Sequence, residues 1–438
     1  MTDNAPTPFA RHGAEKTIFD ARMQPQALYH EGAVTVVYQA NPEGLPGHPH
    51  ITVYDASRGA WTRPHRLGFV HKTDHHLAPI VWLDAAGLRH VLYGCHRSPG
   101  VHLVQAAPGA VDNWRRVDPI GDDVSFPSVR HIDAHRRVMT HRVGGHLGHW
   151  VYRTSDDGVT WSPPRPLIDF NRDPADTIDR HAGCYLTTCA GREPDVLHLG
   201  LCRWDEREDV HPHYDIHSAS QSRYDLYYLR LNVATGELTD AAGRAVATPV
   251  TRSSASAARV IDTGWELTNF PVLSVGPDDR PYLAAPVTEG DPSRCRFNVA
   301  HHDGQSWRHG RFGQTDSIWS ALMLRVVGLH EAHAYAIIGD PQRDEALQGP
   351  AAVWGGGDLR RWISFDNGVT WFDKGSMTPD AELLYNNPQP VARSDGGILP
   401  HSLVCYGWSG PGGIWDIHDR SRSLNRGRGY LHLFGSWV

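Results

Sequence analysis

Two segments about 210 positions apart are near copies of each other. Thr154-Ser155-Asp156-Asp157-Gly158-Val159-Thr160-Trp161 and Ser364-Phe365-Asp366-Asn367-Gly368-Val369-Thr370-Trp371 both read S/T-x-D-x-G-x-T-W. Each follows a strand-like run, residues 149–153 and 359–363. The pattern encodes a turn. The aspartate collects backbone N–H groups, the glycine takes a conformation closed to most residues, and the tryptophan plugs between neighbouring sheets. A unit that recurs in this way builds a chain of similar sheet modules.

Degenerate copies fill the gaps. They end near Trp61, Trp114, Leu238 and Trp307, at intervals of about fifty to nearly eighty residues, which suits a four-stranded module with variable loops. Strand pairs split by Asp-Gly-type turns lie between them, such as residues 80–83 with 90–93 and 272–275 with 281–285. Runs 403–408 and 430–435 complete a last module, and run 33–39 helps to close the ring. The repeated turn is the Asp-box. The reading is all-β: a seven-bladed β-propeller with four-stranded antiparallel blades, six or eight blades being the neighbouring counts. Residues 1–438 form one domain, with 1–15 as a flexible N-terminal extension.

Composition narrows the function. The formal charge of −7, with no basic block, argues against a nucleic-acid partner. No apolar run is long enough to span a membrane. Residues 1–13 lack an apolar core, so a cytoplasmic protein is expected, or a secreted one if the N-terminus was trimmed. Lysines stand only at 16, 72 and 374, so any anion clamp here is an arginine fork. The six cysteines include no CxxC pair and are expected to be free thiols. Cys184, Cys189 and Cys202, with His181, are weak candidates for a structural zinc site; calcium is the other candidate structural ion.

Reactive side chains are densest between His71 and Arg142. Asp74-His75-His76 precedes a hairpin whose second strand ends in Tyr93-Gly94-Cys95-His96, so His76 and His96 belong at one end of it. Ser125-Phe126-Pro127 follows, then a hairpin ending in His141-Arg142.

This order (D-x-H-x-x-P, strand, turn, strand, Y-G-x-H, an S/T-aromatic-P triplet, a strand ending in Arg) resembles a family of BNR-repeat propellers. The family includes ulvan lyases and lyases that cut rhamnose from glucuronate. The resemblance covers roughly residues 70–300, including the hairpin around Arg223–Arg230 and the Asp240–Gly243 turn. It implies catalytic roles for His76, His96 and Arg142. The family's tyrosine falls on Phe126, which has no hydroxyl, and its frequent asparagine falls on Leu77. Substrate contacts are expected from His75, Tyr93, Phe126, Arg180, Arg203, Trp204 and Tyr224. No cofactor is needed for the chemistry.

The implied reaction is β-elimination from a uronic acid. An arginine neutralises the developing carboxylate dianion, and an imidazole near neutrality takes the C5 proton. A proton must also reach the leaving oxygen, and Tyr93 or a tyrosine of the 224–228 hairpin is available for that. The leading expectation is a lyase on an acidic oligo- or polysaccharide, with rhamnosyl-glucuronate units as the favoured substrate. The alternatives are an exo-acting, rhamnosidase-like glycoside hydrolase and a non-catalytic carbohydrate-binding propeller. Paired carboxylates at a hydrolase site are not evident.

Overall fold

The computed structural model describes residues 6–13, 18–44, 46–145, 148–172, 182–205, 213–214, 222–340, 355–409 and 427–438. Four sheets each have four strands in antiparallel succession. One is Ile80–Leu83, Arg89–Tyr93, Val101–Gln105 and Trp114–Arg116, and the next runs from Ser125–His131 through Arg137–Val143 and His149–Ser155 to Arg165–Ile168. A larger sheet is built on Ala182–Ala190, Val196–Asp205 and Arg223–Asn232. Two further four-stranded sheets begin at Val272–Val275 and Leu322–Val326. The strands are short, apolar on their buried positions, and turned by aspartates; Asp84 Oδ1, for instance, accepts the backbone N–H groups of Ala86 and Leu88.

The two ends of the chain share a ten-stranded sheet. Ala27–His30 runs parallel to Leu384–Arg393, joining N-terminal strands to C-terminal ones. Ala10–Gly13 pairs with both Gly427–Leu433 and Ala33–Ala40. The expected flexible extension is therefore wrong for this stretch, because Phe9 is buried against Tyr38 and Trp61 and ties it down. The innermost strands touch in cyclic order, each sheet against the next, and the last against the first. The result is a propeller-like ring around a central channel. No helix of the described residues is long and apolar enough to cross a membrane.

Both Asp-box tryptophans pack onto the preceding sheet: Trp161 lies 6.0 Å from Trp82, and Trp371 lies 4.9 Å from Phe312. The two turns are seated differently. In the second, Ser364 and Asp366 hold Gly368 and Thr370, as the motif requires. In the first, the roles pass to Ser155 and Asp157, one position later, with Asp157 accepting from Val159 and Thr160. The degenerate copies keep the aspartate or asparagine turn at Asp55, Asn232 and Asp303.

Candidate active site

Asp74 caps a single 3-10 turn, His75–Leu77, by accepting the backbone N–H of His76 at 3.0 Å. The same Oδ1 lies 2.6 Å from His76 Nδ1. The following hairpin returns His96 to this point, with His96 Nδ1 2.7 Å from Asp74 Oδ2. One carboxylate thus grips two imidazoles whose ring centres are 4.5 Å apart. Two hydrogen bonds to one carboxylate require each ring to donate from Nδ1, which leaves His96 Nε2 as a proton acceptor. Burial opposes the Asp74 charge, but the bonds from His76 and His96 prevail and hold its carboxyl well below the usual range. Burial, then the neighbouring His75 and Arg22, keep His76 neutral, well below an ordinary imidazole.

Beside the histidines stands an arginine cluster. Arg22 is clamped by Asp20 through two hydrogen bonds of 2.9 and 2.6 Å, and Asp20 also meets His75 at 3.1 Å. The Arg22 and Arg142 guanidiniums lie 4.5 and 4.7 Å from the Phe126 ring centre. Arg22, Arg142 and Arg223 all stand over Tyr185, at 5.2, 5.6 and 4.7 Å. Burial opposes ionisation of Tyr185, but the three cations outweigh it and set its phenol below the ordinary value. Arg142 is 1% exposed, and its guanidinium has no carboxylate partner among the described residues, only the Tyr185 hydroxyl favouring its charge. A buried guanidinium without a carboxylate is a seat prepared for an anion.

The ring of Phe126 stands between the two clusters, 5.1 Å from His76, 5.9 Å from His96 and 5.9 Å from Tyr185. Its backbone is left-handed, φ 53°, at an irregularity in the pairing of Ser125–His131 with Arg137–Val143. That kink turns the ring into the site.

Of the residues expected at the site, His76, His96, Arg142 and Phe126 converge, and His75 stands behind them as a buried partner of Asp20. Trp204 backs Tyr185 at 5.5 Å. Three expectations fail through strand alternation. Tyr93 joins a separate apolar cluster with Val91 and Leu103, its hydroxyl against Gly68. Arg203 lies over Tyr224 at 4.7 Å and within reach of Asp205 and Asp225, so both face away from Tyr185, while their strand neighbours Trp204 and Arg223 face it. Arg180 and His181 lie outside the described residues. The fourth weak zinc candidate is therefore among the residues not described. Cys184, Cys189 and Cys202 are free thiols, and the candidate metal groupings among the described residues contain none of them. Those groupings are Asp20 with His75 and His76, and Asp74 with His76 and His96. The Asp74 distances of 2.6 and 2.7 Å are those of charge-assisted hydrogen bonds.

Sequence reasoning missed Asp20, Arg22 and Tyr185, and saw Arg223 only as part of a hairpin. The spacing Asp20-x-Arg22 ahead of the first inner strand was the available signal for the first two.

A propeller-like ring of antiparallel sheets thus carries a His–Asp–His grip beside buried arginines that have no carboxylate partner among the described residues. Residues 46–314 match the model of the BNR repeat-containing family, and the chain belongs to that family. Two curated relatives are each named ulvan lyase. That of Nonlabens ulvanivorans is 24% identical over 417 residues, spanning 84% of this chain and 81% of its own. That of Alteromonas sp. (strain LOR) is 24% identical over 318 residues, spanning 65% and 63%. A solved polysaccharide lyase, a PL25 ulvan lyase, superposes with a TM-score of 0.78 at 18% identity, covering 98% of this chain and 96% of that one. It was also solved bound to -[GlcA(1-4)Rha3S]-. The polysaccharide lyase Uly1 superposes with a TM-score of 0.62 at 11% identity, covering 97% and 98%. The chain has their fold.

Proposed function

We propose that this chain is a carbon–oxygen lyase that cleaves a uronic-acid-containing polysaccharide or oligosaccharide by β-elimination, with ulvan-like rhamnosyl-glucuronate as substrate class. The relatives named ulvan lyase support the reading. The observation that carries it is the convergence of His96, held by Asp74, and Arg142 on the Phe126 ring, 5.9 and 4.7 Å from its centre.

Arg142 pairs with the uronate carboxylate and stabilises the charge that develops on it. His96, oriented through Nδ1 by Asp74, takes the C5 proton on Nε2. The C5–H electron pair forms the C4=C5 double bond, and the C4–O4 bond breaks with its electrons on O4. Tyr185 donates its proton to O4, and the surrounding guanidiniums stabilise the phenolate left behind. Phe126 takes no part in proton transfer and forms the wall between base and clamp. These roles need no cofactor, and activity should survive exhaustive dialysis against EDTA. We further infer seven blades, counting the shared end sheet as two, and a cytoplasmic enzyme acting on short imported chains. Incubation with ulvan and its oligosaccharides tests the reading, because elimination alone creates an unsaturated uronate that absorbs near 235 nm.

A further inference from the structure

Residues 67–72 lead from the shared end sheet to Asp74, and the elimination gives them no task. They are held along their length. The Leu67 N–H donates to the Pro49 carbonyl at 2.9 Å, and the Val70 N–H donates to His48 Nδ1 at 3.4 Å. Leu67 and Val70 pack with Tyr93 in one apolar cluster, and the Tyr93 hydroxyl occupies the place where a side chain on Gly68 would stand. His48 pairs with Ala40, and the neighbouring Gln39 donates from Nε2 to the Asp74 carbonyl at 3.4 Å. The segment therefore lies on the face of the ring that carries the His–Asp–His grip.

Val70 is buried, but Phe69 turns outward and is 56% exposed. The Arg66 guanidinium stands over its ring at 4.1 Å, and the His48 ring meets it edge-on at 5.0 Å. With more than half of Phe69 exposed, the face opposite Arg66 meets solvent. The backbone beneath is pinned on both sides, so the ring is a fixed platform rather than a loose apolar side chain. Arg66 has no carboxylate partner among the described residues, and a guanidinium stacked on a ring still presents N–H groups to an anion. Between platform and grip stands Lys72, whose Nζ is 3.2 Å from Asp74 Oδ2, the oxygen that also meets His96 Nδ1. Five residues of fully extended chain reach at most ~18 Å, so Phe69 lies within that distance of Asp74.

We propose that Phe69 and Arg66 form a distal subsite for the substrate chain. One sugar unit stacks its C–H face on the open side of the Phe69 ring, and Arg66 pairs with an anionic group of the same chain. The subsite rests on the reading of the substrate as an acidic glycan, and it adds a length requirement to that reading. A chain that fills the catalytic site and also reaches Phe69 binds at two points, whereas a disaccharide binds at one.

Titration calorimetry tests this on the full chain carrying His96→Ala, which removes the base and stops turnover. The ligands are a disaccharide and an octasaccharide of alternating glucuronate and sulfated rhamnose. The octasaccharide should bind about tenfold or more tighter than the disaccharide, and Phe69→Ala in the same background should bring the two affinities together. Arg66→Gln should weaken the octasaccharide by a factor that shrinks as salt is added. Equal affinities for the two lengths, or a length gain that survives Phe69→Ala, would overturn the subsite. So would a gain lost together with a clear drop in thermal midpoint, since the ring would then be structural. Absorbance at 235 nm plays no part in this test. A gain lost only with the Phe69 ring supports the subsite in a protein that binds without cleaving, and a lyase indifferent to chain length keeps its chemistry and loses the subsite.

Discussion

Arg142→Met separates a functional guanidinium from a structural one, because the two roles predict opposite signs for stability. In the folded protein Arg142 has no ion pair among the described residues, and its nitrogens are buried there with no acceptor but the Tyr185 hydroxyl. Its favourable contacts are the ring faces of Phe126 and Tyr185 at 4.7 and 5.6 Å. Contacts of this kind contribute roughly 0.5–2 kcal/mol each, whereas leaving a buried polar group unsatisfied costs about 1–3 kcal/mol, and more when it is charged. With most of its N–H groups unsatisfied among the described residues, the balance favours removal. Methionine fills much of the same volume without a charge. The thermal midpoint should therefore hold or rise. The rate should move the other way: deleting one preorganised donor from a site of developing negative charge typically costs ~10²–10³ in kcat. The assays are differential scanning calorimetry and initial rates at 235 nm on one confirmed substrate. A variant that keeps its activity, or that loses it in step with a clear drop in midpoint, would show that Arg142 holds the blade together rather than the substrate.

Further outcomes follow from the same geometry. His96→Ala should lose ~10²–10⁴ in rate as the base is removed, and Asp74→Asn should lose a large part of this by releasing the Nδ1 grip on both rings; full activity in His96→Ala would take histidine out of the chemistry. Tyr185→Phe should be nearly inactive, while Phe126→Tyr changes the rate little or raises it, and the reverse order would move the acid away from Tyr185. Stability should fall as pH drops from 6.5 towards 4.5. Burial lowers His102 and His131 to about 3 and His141 and His301 to about 4, so in that window the unfolded chain binds protons that the native state does not. Asp74 acts in the same direction at lower pH, since its depressed native pKa contributes stability above the unfolded value that is lost on acidification. A flat calorimetric midpoint across 6.5 to 4.5 would mean that these histidines are not held neutral.

The strand–turn repeat was legible in the sequence because Asp-box chemistry is local: Ser364, Asp366 and Gly368 contact one another within five residues. The histidine pair was legible because a single hairpin brings His96 back to Asp74. What could not be read was contact made by the ring as a whole. Arg22 reaches His75 across 53 positions, and Tyr185 meets Arg22 and Arg223 only because different sheets converge on the channel. Tyr224 and Arg203 were one residue off because hydrophobic pattern does not say which face of a strand looks at the site when both faces are buried. The first Asp-box shows the same limit, since Asp156 and Asp157 both satisfy a loose reading of the motif and only the folded turn selects Asp157.

The central claim is elimination at a uronate, and its most direct measurement is the product of a single reaction. The full chain is incubated with an oligosaccharide of alternating glucuronate and sulfated rhamnose, and the absorbance near 235 nm is followed while the products are weighed by mass spectrometry. The expected result is rising absorbance with fragments whose masses sum to that of the substrate, one of them carrying the unsaturated uronate. Cleavage without absorbance, with fragments heavier by one water in total, would make the chain a hydrolase; saturable binding with no cleavage at all would make it a carbohydrate-binding propeller.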